Sequence, residues 1–448
     1  MFNETDLLHR GLAFQESHDF DQALRVFSEA IGLNPKYAEA YYARGNVYEA
    51  MGQYDLAIAD YNRVLQFSPK EAVAYYNRGV AYGKKGDPSR AVADYSEAIR
   101  LDPNYGHAYY NRGLACFKMN ELDRAMADYA DAVRLDPGDP DFHVSRGLIH
   151  ALRGAWAAAI AEYDEAIRAN PQHPKAHGNR GNAFAHQGDW EAAIAAYGEV
   201  IRINSRDAKA YLNRAMAYFR LGQFDRAIAD YSELIRLNPK CGRNYVGRGI
   251  AYAKRHETDK AIADYDEAIR LEPKSVEAYL GRGAARSAKG KRRAALEDYN
   301  EAIRLEPNSA KGYFNRGMLH ALEGALDAAI ADYTEVIRLD PNDAYARCHR
   351  GVALTRKGDI ESAMVDYGEA IRLDPQYASA YYNRGLLHGL QGRLAESIAD
   401  LTETIRLKPS FTRAYSSRAA QYERLGQDAK ARADRANAEE LDAACVGV

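Results

Sequence analysis

Apolar and aromatic residues recur along this chain with a period of 34. With Ala72 as position 1 of a unit, they fall at positions 4, 8 and 11, then at 20, 24, 27 and 28. Each set marks one face of a helix turning every 3.6 residues, so each unit predicts two short amphipathic helices. Position 15 separates the sets. It is Gly in ten units and His18, Asn120 or His256 in the others, residue types that accept a left-handed backbone at lower cost and so end the first helix. Pro at position 32 stops the second helix, from Pro35, Pro69 and Pro103 to Pro375 and Pro409, with Ser205 the one missed step.

Thirteen units, called repeats 1–13 below, begin at Glu4, Ala38, Ala72, Gly106, Pro140, Pro174, Ala208, Gly242, Val276, Ala310, Ala344, Ala378 and Thr412. Helices of about 14 residues are marginal alone in water and must stack. An unbroken register of helix pairs predicts one all-α solenoid over residues 4–445, with a short tail at 446–448. In the last unit Arg435 replaces the ring of position 24 and Glu439 the Ile of position 28, the polar face that a terminal cap requires.

Position 8 is Gly, or Ala at Ala215 and Ala419, and position 20 is Ala except at Ser397. Gly inside a helix costs about 1 kcal/mol relative to Ala, and close helix contact is the expected return. The ring at position 24 (Phe27, Tyr61 through Tyr367, then Leu401) is expected to fill that gap. Position 7 is Arg in all thirteen units, and position 23 is Asp or Glu in eleven, with Val26 and Ala196 as exceptions. A half-buried Arg needs a fixed carboxylate, so these positions predict an Arg–Asp ladder between first and second helices. The functional alternative is a row of arginines that binds anions. Glu at position 26 and Arg at position 29, as in Glu97 and Arg100, are set to pair in the last turn.

This pattern resembles the tetratricopeptide repeat family across essentially the whole chain, with Arg where that family usually has Leu at position 7. The resemblance implies antiparallel helix pairs stacked into a right-handed superhelix, with the first helix of each pair lining the concave face. Asn stands at position 6 in Asn77, Asn111, Asn179, Asn213, Asn315 and Asn383. This is similar to the Asn ladder in the repeat domain of O-GlcNAc transferase, which grips extended peptides, although Ser145, Gly247, Gly281 and His349 interrupt it here. An amide can give one hydrogen bond to a peptide backbone and take one; the bland reading is a polar residue at an exposed helix site.

Flanking positions suit a groove. Position 5 carries Tyr42, Tyr76, Tyr110, Phe314 and Tyr382; position 9 is mostly apolar, as in Leu114, Met216, Ile250 and Met318; position 13 carries Lys84, Lys118, Arg220, Lys254 and Arg356. Such a surface fits an extended segment bearing acidic residues, while packing between neighbouring units explains position 9 equally well. The family's carboxylate clamp needs Lys at position 5 with Asn at position 9. Asn46 and Asn182 face Tyr42 and Gly178 instead, so that clamp is not expected.

The net charge is −3 with both signs interspersed, which argues against a nucleic-acid binder or a polybasic membrane surface. No apolar run approaches the roughly 18 residues of a membrane span, and MFNETDLLHRGL lacks the features of a secretory signal. Cys116, Cys241, Cys348 and Cys445 are far apart with no CxxC, which fits a reducing cytoplasm. There is no P-loop, GxSxG elbow, HExxH or EF-hand loop, so neither an enzyme nor a cofactor is expected.

His143, His177, His150, His320 and His388 replace rings at positions 4 or 11, and His173 and His186 lie near them; packing substitution explains them better than metal ligation. The densest basic run, Arg286, Lys289, Lys291, Arg292 and Arg293, reads as a solvated turn, or else as a local hinge or a patch for an acidic partner. Taken together, the sequence points to an interaction scaffold that binds an extended peptide or partner protein along the concave face. The alternative is a structural solenoid that self-associates and has no groove ligand.

Overall fold

The computed structural model describes residues 3–446, with side chains to residue 443. Those residues form 26 helices and no strand. The chain divides by contact into two compact units, residues 1–222 and 223–448. The first carries the helices from Glu4–Glu16 to Ala208–Arg220, and the second those from Phe224–Leu237 to Asp428–Val446. Within each, successive helices pair in antiparallel fashion, two to a repeat, as the periodicity predicts, and the division falls between the two helices of repeat 7.

Repeat 3 shows how the local sequence sets the pair. Its first helix, Ala72–Lys85, ends at Gly86, where φ is 91°. Its second, Pro88–Leu101, starts with Pro in the first turn and with Asp87 accepting a hydrogen bond from the Arg90 amide. The left-handed turn is general: His18, Asn120 and His256 adopt φ of 61°, 62° and 60° at the same place.

The interior is a stack of Gly–Tyr contacts. A Cβ on Gly79 would lie 2.8 Å from Tyr95 Cε1, and one on Gly113 would lie 2.7 Å from Tyr129 Cε1. Tyr61, Tyr129, Tyr163 and Tyr333 are about 1% exposed. Burying such a ring contributes roughly 2–3 kcal/mol, which outweighs the helix cost of the glycine that admits it. Burial also pushes the Tyr163 phenol up to about 12.

The arginine ladder forms. Arg78 gives Nε and Nη2 to the two oxygens of Asp94 at 2.8 and 2.6 Å. Its remaining Nη1 reaches back to Asn62 Oδ1 in the preceding repeat at 2.6 Å. Arg44 does the same with Asp60 and Ser28, Arg248 with Asp264 and Ser232, and Arg350 with Asp366 and Thr334. Each of these four guanidinium groups therefore joins the second helix of its own repeat to that of the repeat before. Hydrogen bonding to Asp94 holds the Arg78 guanidinium above its usual range despite burial.

The expected pairs in the last turn also form, as between Arg100 and Glu97. A further set crosses repeat boundaries on the surface, with Lys289 on Asp259 at 2.5 Å and Lys357 on Asp327 at 2.6 Å. In the last helix Ala431, Asp434 and Ala438 are buried and most other described side chains are exposed. The helix runs to Val446; the rest of the expected tail and the Cys445 side chain lie outside the described residues.

Candidate interaction face

The first helices carry the predicted site. Their position-6 asparagines face the neighbouring repeat. Asn77 Nδ2 donates to Tyr42 Oη at 2.8 Å and to Asn46 Oδ1 at 3.2 Å, and Asn111 Nδ2 donates to Tyr76 Oη at 2.7 Å. Ser145 reaches Tyr110 in the same way at 3.4 Å, and Asn213 donates to Asn182 at 3.1 Å. In the second unit Asn383 points to Cys348 Sγ at 3.7 Å, and Tyr382 meets Ser417 at 3.5 Å. Asn179 and Asn315 follow Val144 and Leu280, which offer no acceptor there.

Sequence reasoning missed this use of the amides. The signal was present as a 35-residue pairing of Asn with the Tyr at position 5 of the repeat before. Tyr42, Tyr76, Tyr110 and Tyr382 are accordingly half-buried rather than open. Tyr110 also packs on Phe142, and Tyr382 on Phe411, with ring centres 4.8 and 4.7 Å apart. Burial raises the Tyr76 and Tyr110 phenols above their usual range.

Position 13 splits into two groups. Lys84, Lys118 and Lys254 are exposed. Arg356 instead donates to the Ala321 carbonyl at 2.6 Å, and Arg424 to that of Gly389 at 2.7 Å. These carbonyls belong to the last turn of the preceding first helix, where a cation adds to the bonds already given by the Gly324 and Gly392 amides and suits the helix dipole. Arg220 lies over the Trp190 ring at 5.8 Å. At position 9, Met216, Ile250 and Met318 are 52%, 39% and 40% exposed, so they present apolar surface on this face. Exposed Leu152, Leu322 and Leu390 at position 13 add to it.

A groove lies where the Asn ladder is interrupted. In repeats 8–10, Val246, Ile250 and Leu280 line a concavity of about 1280 Å³ with Gly247. Arg243, Lys274, Lys311, Glu277 and Glu306 also line it. Gly247 and Gly281 leave no room for a side chain. The Tyr265 ring lies 2.6 Å from where a Cβ on Gly281 would stand, and Tyr231 closes on Gly247 in the same manner. A smaller cavity of about 210 Å³ in the first unit lies beside Gly178, Asn179 and Asn213.

The basic run is partly neutralised. Arg286 donates to Asp298 at 3.0 Å and Lys289 meets Asp259, while Lys291, Arg292 and Arg293 are exposed. No group of three metal-ligating side chains lies together among the described residues. His143 bonds Glu162 at 2.9 Å and the Pro137 carbonyl at 3.2 Å. Cys116, Cys241 and Cys348 are free thiols. No described helix is long and apolar enough to cross a membrane.

Solved structures similar to this chain include the Cut9–Hcn1 hetero-tetramer of the APC/C. That match has 16% identity and a TM-score of 0.44, over 97% of this chain and 93% of the other. Yeast Tom70 matches at 19% identity and TM-score 0.44, over 91% and 92% of the two chains. YrrB, titled a TPR protein with an unusual peptide-binding site, matches at 26% identity and TM-score 0.35, over 42% of this chain and 96% of its own. A search of curated protein sequences finds no match. Tetratricopeptide repeat profiles match residues 8–72, 76–140, 117–174, 212–276, 246–286 and 280–344. Related repeat profiles match 181–222 and 353–392, 162–195, and 378–411. Together these matches span most of the thirteen units, and the chain belongs to the tetratricopeptide repeat family, which suggests a protein-interaction scaffold.

Proposed function

We propose that this scaffold binds an extended segment of a partner protein along its first helices, with the strongest purchase in the groove of repeats 8–10. The observation that carries this reading is the concavity floored by Val246, Ile250 and Leu280 and rimmed by charge. An apolar anchor in a desolvated pocket supplies most of the affinity of such contacts, and the charged rim sets register. Asn179 and Asn315, whose amides have no tyrosine to serve, are the ladder positions best placed to hold a peptide backbone. Asn77, Asn111, Asn213 and Asn383 keep their carbonyl oxygens for the same task. Exposed Lys84, Lys118 and Lys254 favour acidic residues in the bound segment.

The test is a peptide-display selection on the full chain, repeated with Ile250→Glu and Leu280→Glu. Binders that are lost in both variants and kept in Leu390→Glu support the groove. Binders indifferent to both groove charges, or no binders, overturn it. Self-association is the second reading, favoured by Leu322 and Leu390 at 66% and 77% exposure. A sedimentation profile that shifts with concentration and loses the shift in Leu390→Glu supports it.

A further inference from the structure

Repeat 6 breaks the arginine ladder in one defined way. Its position 23 is Ala196, where repeat 5 has Glu162 and repeat 3 has Asp94. In repeat 5, Glu162 takes hydrogen bonds from His143 Nδ1 at 2.9 Å and Arg146 Nη2 at 2.6 Å, while His143 Nε2 holds the Pro137 carbonyl. These bonds hold the Glu162 carboxyl below its usual range against the opposing effect of burial.

Repeat 6 keeps the donors without the acceptor. His177 stands where His143 does and holds the Pro171 carbonyl through Nε2 at 3.0 Å. Its Nδ1 is buried with no partner, and the residue is 4% exposed. Arg180 keeps only its backward bond, from Nη1 to Asp164 at 2.7 Å, and its Nε is also buried and unpartnered. Arg146 leaves Nε free too, but meets its carboxylate through Nη2. His177 Nδ1 thus stands where His143 Nδ1 grips a carboxylate in repeat 5, and Arg180 Nε where Arg78 Nε grips Asp94 in repeat 3, beside an Ala196 that is 1% exposed.

A buried guanidinium nitrogen and imidazole nitrogen left unbonded are costly, and each calls for an ion or water. We infer that repeat 6 holds a small exchangeable anion of the carboxylate class between Arg180 and His177. Formate is the smallest anion of that class and stands in for the carboxylate that aspartate supplies at this position in other repeats. Arg180 supplies the charge. His177 Nδ1 faces the same position, its Nε2 staying on the Pro171 carbonyl. The site lies between the helices of one repeat, away from the groove, so a free ion suits it and a partner side chain does not.

The test is thermal unfolding of the full chain with sodium formate titrated against sodium acetate and sodium chloride at constant ionic strength. A specific site gives a saturable rise with formate, of about 2–4 °C in the transition containing repeat 6, that exceeds acetate. Ala196→Asp supplies the missing carboxylate covalently. It should unfold at higher temperature without formate and show no formate-specific rise. Ala196→Glu, built on the repeat 5 arrangement, replaces it if the aspartate variant fails to fold. Exchange broadening of ¹³C-formate by the wild-type chain, absent with either variant, reports occupancy directly. Equal responses of wild type and variants to formate, or no formate-specific response in the wild type, overturn the site.

Discussion

The Asn111 amide donates to the Tyr76 hydroxyl across the junction of repeats 3 and 4 at 2.7 Å. Both side chains are half-buried, so the bond is part of the packing between repeats. Asn111→Ala and Tyr76→Phe are each expected to cost about 1 kcal/mol, with coupling in the double variant of similar size. A double-mutant cycle by urea unfolding checks this. Additive effects would remove the bond from the account of stability.

Gly113→Ala should destabilise although alanine is the better helix former. The new methyl meets the Tyr129 ring at 2.7 Å, with Asp128 Cβ at 3.2 Å. Overpacking costs about 1–3 kcal/mol, against about 1 gained in helix propensity. A lowered unfolding midpoint is the expected result; a raised one would show that the ring moves aside freely.

Asp94→Ala leaves the Arg78 guanidinium half-buried, held by Asn62 and the face of Tyr75 but without a carboxylate. Removing one partner of such a pair costs about 3–5 kcal/mol. Replacing both, as in Arg78→Leu with Asp94→Leu, should recover much of that loss. Chemical denaturation of the single and double variants tests the contrast.

Acid should weaken the second unit through His349. The ring packs on Phe314 and Tyr333 at 5.2 and 5.8 Å, and burial lowers its affinity for a proton below the usual 6.5. The unfolded chain takes up that proton near pH 6.5 while the folded chain does not. This contribution to stability is therefore whole above pH 6.5 and is lost as pH falls from there toward the folded value. His349→Asn, the residue common at that position, should flatten this part of the profile in unfolding scans between about pH 5 and 8.

Much of this fold is legible in the sequence because a repeat writes each contact many times. Arg at position 7 with an acid at position 23 announces the ladder, and Gly at position 8 with Tyr at position 24 announces the packing. The face of the first helices was harder to read. Asn77 and Asn111 look like ligand-binding amides until the tyrosine of the repeat before is seen beside them. The groove beside Gly247 was hidden for the opposite reason. It forms where the pattern is missing, and an absent side chain marks a depression only once the neighbouring rings are placed.

The two-handed arginine also gives each row of repeats a direction. Arg78 takes its carboxylate from its own repeat and its third acceptor, Asn62, from the one before. If the repeat on the C-terminal side peels away, what remains exposed is an amide or hydroxyl, or in repeats 5 and 8 the carboxylate of Asp164 or Asp266, that water serves at little cost. If the repeat on the N-terminal side peels away, a guanidinium loses an acceptor and the remaining pair is left half open to solvent. Unravelling within a unit is therefore easier from its C-terminal end than from its N-terminal end, although every repeat is built to the same plan.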